Sequence, residues 1–179
     1  MRQTVCSIAI AVALAAAGCT KRERTSAAPG SAQSQGPLEL KLPLFPSGEL
    51  HDLAKDRGSV VLLDVWATWC EPCRDALPVY QRFLEEYGPR GLKVYAINVD
   101  EDSRQIAPFV RETKMTLPVL VDRDAAFVER QLKVEVLPTS FILDRRGVIR
   151  YKHDNDGFLE PLVPTYRSEI EGLLAERAP

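Results

Sequence analysis

Val60-Val61-Leu62-Leu63-Asp64-Val65-Trp66-Ala67-Thr68-Trp69-Cys70-Glu71-Pro72-Cys73 is a short apolar run that stops on a Cys-x-x-Cys pair. Its aliphatic and β-branched residues read as a strand, and beyond Cys73 the apolar positions switch to helical spacing, so the pair sits at a strand-to-helix junction. The first turn of a helix offers unpaired N–H groups and the positive end of the macrodipole, and both favour a thiolate at Cys70. Cys70 is therefore the expected nucleophile. Only two residues separate the cysteines, so a bond between them restrains the unfolded chain little but opens readily to an attacking thiolate. A stapling disulfide or half of a zinc site are the competing readings. Zinc needs about two further Cys or His ligands, and the sequence offers no second Cys-x-x-Cys and no His pair. Neither a metal nor a cofactor is expected.

Downstream, Ala76, Leu77, Tyr80, Phe83, Leu84 and Tyr87 share a helix face that ends at Gly88-Pro89, and Pro78 is expected to kink that helix. Leu92 to Val99 reads as a strand, Arg104 to Met115 as a helix, Pro118 to Asp122 as a strand and Ala125 to Leu132 as a helix. Ser140 to Asp144 and Val148 to Lys152 form a hairpin about Gly147, which is expected at positive φ, and a last helix runs from Leu162 to Glu176. Upstream, Leu38 to Leu42 alternates strictly and Phe45 to Leu50 supplies a turn, giving an edge hairpin that covers the sheet. The class is α/β: a central mixed sheet with helices on both faces and an N-terminal hairpin extension. His51 and His153 read as solvated loop residues.

The chain has 179 residues and a formal net charge of −2, enough for one domain with extensions and without the basic block a nucleic-acid partner requires. Met1-Arg2, the apolar segment Val5 to Ala17 and the small residues before Cys19 make residues 1–18 an export signal. Ala16-Ala17-Gly18-Cys19 resembles a bacterial lipobox, with Ala16 where Leu is preferred, so Cys19 is expected to carry lipid; ordinary cleavage nearby is the alternative. Residues 19–37 lack large apolar side chains and read as a flexible linker, leaving residues 38–179 as the domain. With Cys6 lost and Cys19 lipidated, one pair remains, Cys70 and Cys73.

At Asp64-Val65-Trp66-Ala67-Thr68-Trp69-Cys70-Glu71-Pro72-Cys73-Arg74, with Pro78 and the distant Leu137-Pro138-Thr139-Ser140-Phe141, the chain resembles the thioredoxin superfamily and, within it, the extracytoplasmic TlpA/ResA-like thiol-disulfide oxidoreductases. The resemblance implies a thioredoxin-like fold over residues 38–179. It implies that Cys70 forms a mixed disulfide that Cys73 resolves, with Trp69, Glu71 and Pro72 shaping the surface. It implies a cis Pro138, with Leu137, Pro138 and Thr139 against the pair and the backbone of Leu137 taking an extended substrate; a trans loop proline is the plainer reading. Asp64 stands where thioredoxin has a buried Asp that serves the second cysteine, against the plainer reading of an Asp reaching solvent at the strand edge. Ala96 stands where thioredoxin has a nearby lysine, and Ala76 where many relatives have an acid, so neither partner carries over.

The expected function is that of an exported, membrane-tethered oxidoreductase in a bacterial cell envelope, facing the periplasm. Its substrates are protein thiols and disulfides, for example apocytochrome c. Resemblance implies the reductase direction, with a membrane electron donor of the DsbD type, because the large helical insertion of a DsbA-type oxidase is lacking. Glu71 opposes this, since its charge disfavours a thiolate at Cys70. A Sco-like copper module, using His153 as distant ligand, and a peroxiredoxin-type peroxidase are the alternatives.

Overall fold

A computed structural model describes residues 36–155 and 159–177. The expected export signal with Cys6, the expected lipidation at Cys19 and nearly all of the expected linker lie outside the described residues. Seven strands, β1 (Lys41–Phe45), β2 (Leu50–Asp52), β3 (Val60–Trp66), β4 (Leu92–Asn98), β5 (Val119–Val121), β6 (Thr139–Leu143) and β7 (Ile149–Asp154), form one sheet in the order β2-β1-β5-β4-β3-β6-β7. The pairs β3/β4 and β4/β5 are parallel, and the remaining pairs are antiparallel. Every residue of β3 is buried, as a strand covered on both faces requires, and this is why it reads as a continuous apolar run.

Three α-helices, α1 (Glu71–Tyr87), α2 (Ile106–Thr113) and α3 (Val163–Ala175), pack on one face. There Leu62 and Trp66 of β3 meet Leu77, Tyr80 and Phe83 of α1, Phe109 of α2 and Tyr166 and Ile170 of α3. The opposite face carries Val61, Leu63 and Val65, and it is covered by shorter helical segments at Leu53–Asp56 and Val128–Leu132. Each large side chain enclosed this way contributes roughly 1.5–3 kcal/mol of transfer free energy.

The expected edge hairpin is present, with Leu42 opposite His51, and its first strand pairs with β5 at Leu44 and Leu120, covering that edge. Gly147 turns the β6/β7 hairpin at φ 77°. Two expectations are corrected. Ala125 to Leu132 is not an α-helix: a 3-10 turn at Arg123–Ala125, with Asp124 at φ 60°, leads into a single π-type segment at Val128–Leu132. There the buried Asp122 carboxylate accepts from the Phe127 and Val128 N–H groups and sets where the turn begins. The histidines are not solvated loop residues either. His51 lies in β2 with Nε2 2.7 Å from Asp56 Oδ2, and His153 lies in β7 with Nε2 2.7 Å from Glu169 Oε2.

Candidate active site

The strand β3 ends at Trp66, and Ala67-Thr68-Trp69 turns the chain into α1. Asp100, just past β4, holds that turn: its carboxylate accepts from the Thr68 N–H and hydroxyl at 3.1 Å and from Asn98 Nδ2 at 2.8 Å. Cys70 is the N-cap of α1, at φ −86° and ψ 104°, and its Sγ accepts the Cys73 N–H at 3.2 Å, satisfying one of the free donors of the first turn. Pro72 sits in that turn, where a missing N–H costs nothing. The helix continues on both sides of Pro78.

Cys70 and Cys73 are joined as a disulfide, with Cα atoms 5.3 Å apart. The two sulfurs are unequally placed: Cys70 retains 5% exposure and Cys73 none. Cys70 opens into a groove of about 510 Å³ lined by Trp69, Glu71, Pro72, Glu135, Val136 and Leu137. Trp69 is 73% exposed and Val136 41%, two of the three large apolar side chains that the described residues leave in solvent. A second groove of about 630 Å³ runs along the other side of Trp69, past Thr68, Val99, Glu101 and Asp102.

The Leu137–Pro138 peptide bond is cis, as the resemblance implied. Leu137 lines the groove, while Pro138 and Thr139 are buried behind it. Thr139 therefore shapes the site from within: its hydroxyl donates to the Val136 carbonyl at 2.7 Å and to Asp154 Oδ1 at 3.0 Å, fixing the loop that carries Val136.

Asp64 has no exposed surface, and among the described residues neither carboxylate oxygen has a hydrogen-bond partner. It does not reach solvent at the strand edge. Its parallel-strand neighbour on β4 is Ala96, so that position supplies no cation. It lies two residues from both Leu62 and Trp66, shares their face of β3 and therefore points to the layer that holds Cys73. Burial without a partner pushes its carboxyl well above the usual carboxylate range.

The same layer holds polar groups to which the sequence reading gave no role in the site. Tyr80 and Tyr166 hydroxyls are 3.2 Å apart, Ser140 Oγ and the Tyr166 hydroxyl share a 2.5 Å hydrogen bond, and Asn155 Nδ2 donates to Tyr166 at 2.9 Å. Ser140 directly precedes the apolar run Phe141-Ile142-Leu143, the one signal that could have marked it, whereas Asn155 lies in a polar stretch of the sequence that does not single it out. His153, the distant ligand a Sco-type copper site needs, has Nε2 on Glu169 and its ring 4.5 Å from that of Tyr166.

This pair, in this fold, has known counterparts. A profile of the AhpC/TSA family matches residues 38–152. The chain belongs to that family, as a thiol-disulfide oxidoreductase of the thioredoxin superfamily. It is 31% identical over 150 residues to the thiol-disulfide oxidoreductase ResA of Geobacillus kaustophilus, covering 79% of this chain and 82% of that one. It is 36% identical over 110 residues to the thioredoxin-like protein YneN of Bacillus subtilis, covering 60% of this chain and 63% of that one. Among solved structures, a thiol:disulfide interchange protein DsbE from Chlorobium tepidum superposes with a TM-score of 0.72 at 28% identity, over 83% of this chain and all of the other.

Proposed function

We propose that this oxidoreductase is an exported, lipid-tethered reductase of protein disulfides, with Cys70 as attacking thiolate, Cys73 as resolving thiol and Asp64 as the group that takes the Cys73 proton. The observation that carries the assignment of roles is the asymmetry of the pair: Cys70 borders a groove with apolar and acidic walls, whereas Cys73 is enclosed in the layer onto which the buried Asp64 carboxyl faces. An enclosed thiol cannot attack until something removes its proton, and the sequence supplies one acid on that face of β3.

In the reductive direction the Cys70 thiolate attacks one sulfur of the substrate disulfide, forming a mixed disulfide and releasing a substrate thiolate that takes a proton from water. Cys73 passes its proton to Asp64 and attacks Cys70 Sγ. The second substrate thiolate leaves, and two electrons have moved from the protein pair to the substrate. A membrane donor of the DsbD type then reduces Cys70–Cys73 by the same steps in reverse. Trp69 and Val136 give an extended, partly apolar segment its contact surface, and Leu137 offers the backbone beside it. Lipid at Cys19 and a linker of residues 19–37 hold the domain near membrane donors and raise their effective concentration. The short path from β4 through α2 to β5, with no inserted helical domain, favours the reductase over a DsbA-type oxidase.

The test is twofold: the equilibrium potential of the pair against glutathione, and its redox state in living cells after acid quenching. A potential well below the DsbA value of about −120 mV and a reduced pair in vivo are expected. A potential near that value together with a fully oxidised pair sinks the reductase assignment, and stoichiometric peroxide consumption by the reduced protein favours the peroxidase alternative.

A further inference from the structure

The register of the sheet sets three polar residues side by side. Asp64 of β3 is the antiparallel partner of Ser140 on β6, and Ser140 is the antiparallel partner of His153 on β7. Directly opposed residues point to one face with Cβ atoms about 4.5–5.5 Å apart, so the row crosses the sheet beneath α1 and α3, from the enclosed carboxyl to the sheet's outer strand. Each member beyond Asp64 is held in place. Ser140 Oγ is hydrogen-bonded to the Tyr166 hydroxyl, which is braced by Tyr80 and Asn155. The His153 ring packs on Tyr166, and its Nε2 meets Glu169, whose side chain keeps 9% exposure beside the 16% of His153. The groups facing the row are thus Tyr80 from α1 and Tyr166 and Glu169 from α3, in the layer that also holds Cys73. A buried polar assembly of this size is expensive where apolar packing would serve, and it lies away from the groove that a substrate occupies.

We propose that the row Asp64–Ser140–His153 is the path by which Asp64 exchanges its proton with solvent, Tyr166 keeping it aligned and Glu169 orienting the outer imidazole. The inference rests on the reading of Asp64 as proton acceptor for Cys73. The requirement is chemical: an enclosed Asp64 that is protonated at rest, as its burial favours, must first lose that proton before it can accept one from Cys73. In the mixed disulfide the groove side is occupied by the substrate. At rest Ser140 Oγ meets the Tyr166 hydroxyl, His153 Nε2 meets Glu169 and Asp64 has no partner among the described residues, so the proton crosses when the Asp64 carboxyl and the His153 ring turn onto Ser140 Oγ, a hydroxyl accepting one proton while donating another and an imidazole doing the same across its two nitrogens. In the reducing half-reaction the direction reverses, and Asp64 is reloaded after protonating Cys73.

The experiment uses the full-length reduced protein and an aryl disulfide, dithiobis-nitrobenzoate, whose first chromophore release reports attack by Cys70 and second release reports resolution by Cys73. His153→Gln, which keeps a hydrogen bond to Glu169, and Ser140→Ala should each slow the second phase about tenfold, within the range of lost proton-transfer assistance, and leave the first phase unchanged. Imidazole in the buffer should restore the His153→Gln second phase in proportion to its concentration. In an Asp64→Asn background neither substitution should slow resolution further. An unchanged second phase in His153→Gln, an equal slowing with and without Asp64, or no response to imidazole overturns the path. Should Ser140→Ala fail to fold, His153→Gln at the outer end decides alone. Asp64→Asn by itself separates the two readings: if it leaves the second phase unchanged, the role of Asp64 is what fails.

Discussion

Replacing Asp64 with Asn tests the buried carboxyl as a matter of stability, independently of any substrate. Asp64 has no exposed surface and no hydrogen-bond partner among the described residues, and burial raises its folded-state pKa well above the 3.8 of the free side chain. The sign follows from proton counts. Below pH 3.8 both folded and unfolded chains carry the proton and Asp64 contributes no pH dependence. Above it the unfolded chain releases the proton while the folded chain keeps it, so the folded state binds more protons and stability falls as pH rises. The loss accumulates at up to about 1.4 kcal/mol per pH unit until the folded-state pKa is passed, where it levels off. Asn is nearly isosteric and its amide is equally unpartnered, but its cost does not vary with pH. The stability of the wild type relative to Asp64→Asn should therefore decline steadily from pH 4 toward neutrality.

Urea denaturation of the oxidised forms at unit pH intervals measures this directly. With an m-value of about 2 kcal/mol/M, the difference between the two midpoints should move by roughly 0.7 M per pH unit within the window. Other carboxylates titrate too, but they do so in both proteins and cancel in the difference. A difference that stays flat with pH, or that grows in favour of the wild type, refutes the burial of an uncharged Asp64 and with it the need for Asp64 to release a proton before it takes one from Cys73.

Limiting iodoacetamide near neutral pH should alkylate Cys70 of the reduced protein and spare Cys73, because Cys70 lies at the helix start and at the groove while Cys73 is enclosed; peptide mapping showing equal or preferred labelling of Cys73 reverses the roles. Trp69→Ala should lower the rate on protein disulfides about fivefold or more, since its ring is groove surface and not core, while changing stability by less than about 0.5 kcal/mol; equal rates on a scrambled protein substrate refute a docking role. Asp100→Ala leaves the Thr68 N–H without its acceptor at the turn into the site and should cost about 1–3 kcal/mol, visible as a lower thermal midpoint, and a variant as stable as wild type shows that the turn holds without it.

How much of this was legible follows from how local each determinant is. The strand-to-helix junction is written in consecutive residues, and β3, the N-cap at Cys70 and the start of α1 follow from them because capping and periodicity act over a few positions. The cis Leu137–Pro138 bond is not local: most X-Pro bonds are trans, and only the resemblance of a distant tripeptide pointed to it. The histidines were misplaced for a related reason, since what encloses His153 is Tyr166 and Glu169 on a helix more than ten residues away, and His51 is enclosed by Tyr95 and Asp56. Val128 to Leu132 has a helix's periodicity, but the buried Asp122 carboxylate claims the N–H groups of Phe127 and Val128 and shifts the turn that follows. The row Asp64–Ser140–His153 was the least legible part, although each member is a polar residue within a strand. Its meaning lies in register, which a single strand does not carry: slipping β6 by one residue would send Ser140 to the other face and place Thr139 or Phe141 opposite Asp64. The proton path is thus a property of strand pairing, and it should be sensitive to any change that moves the β6/β7 hairpin while leaving Cys70 and Cys73 untouched.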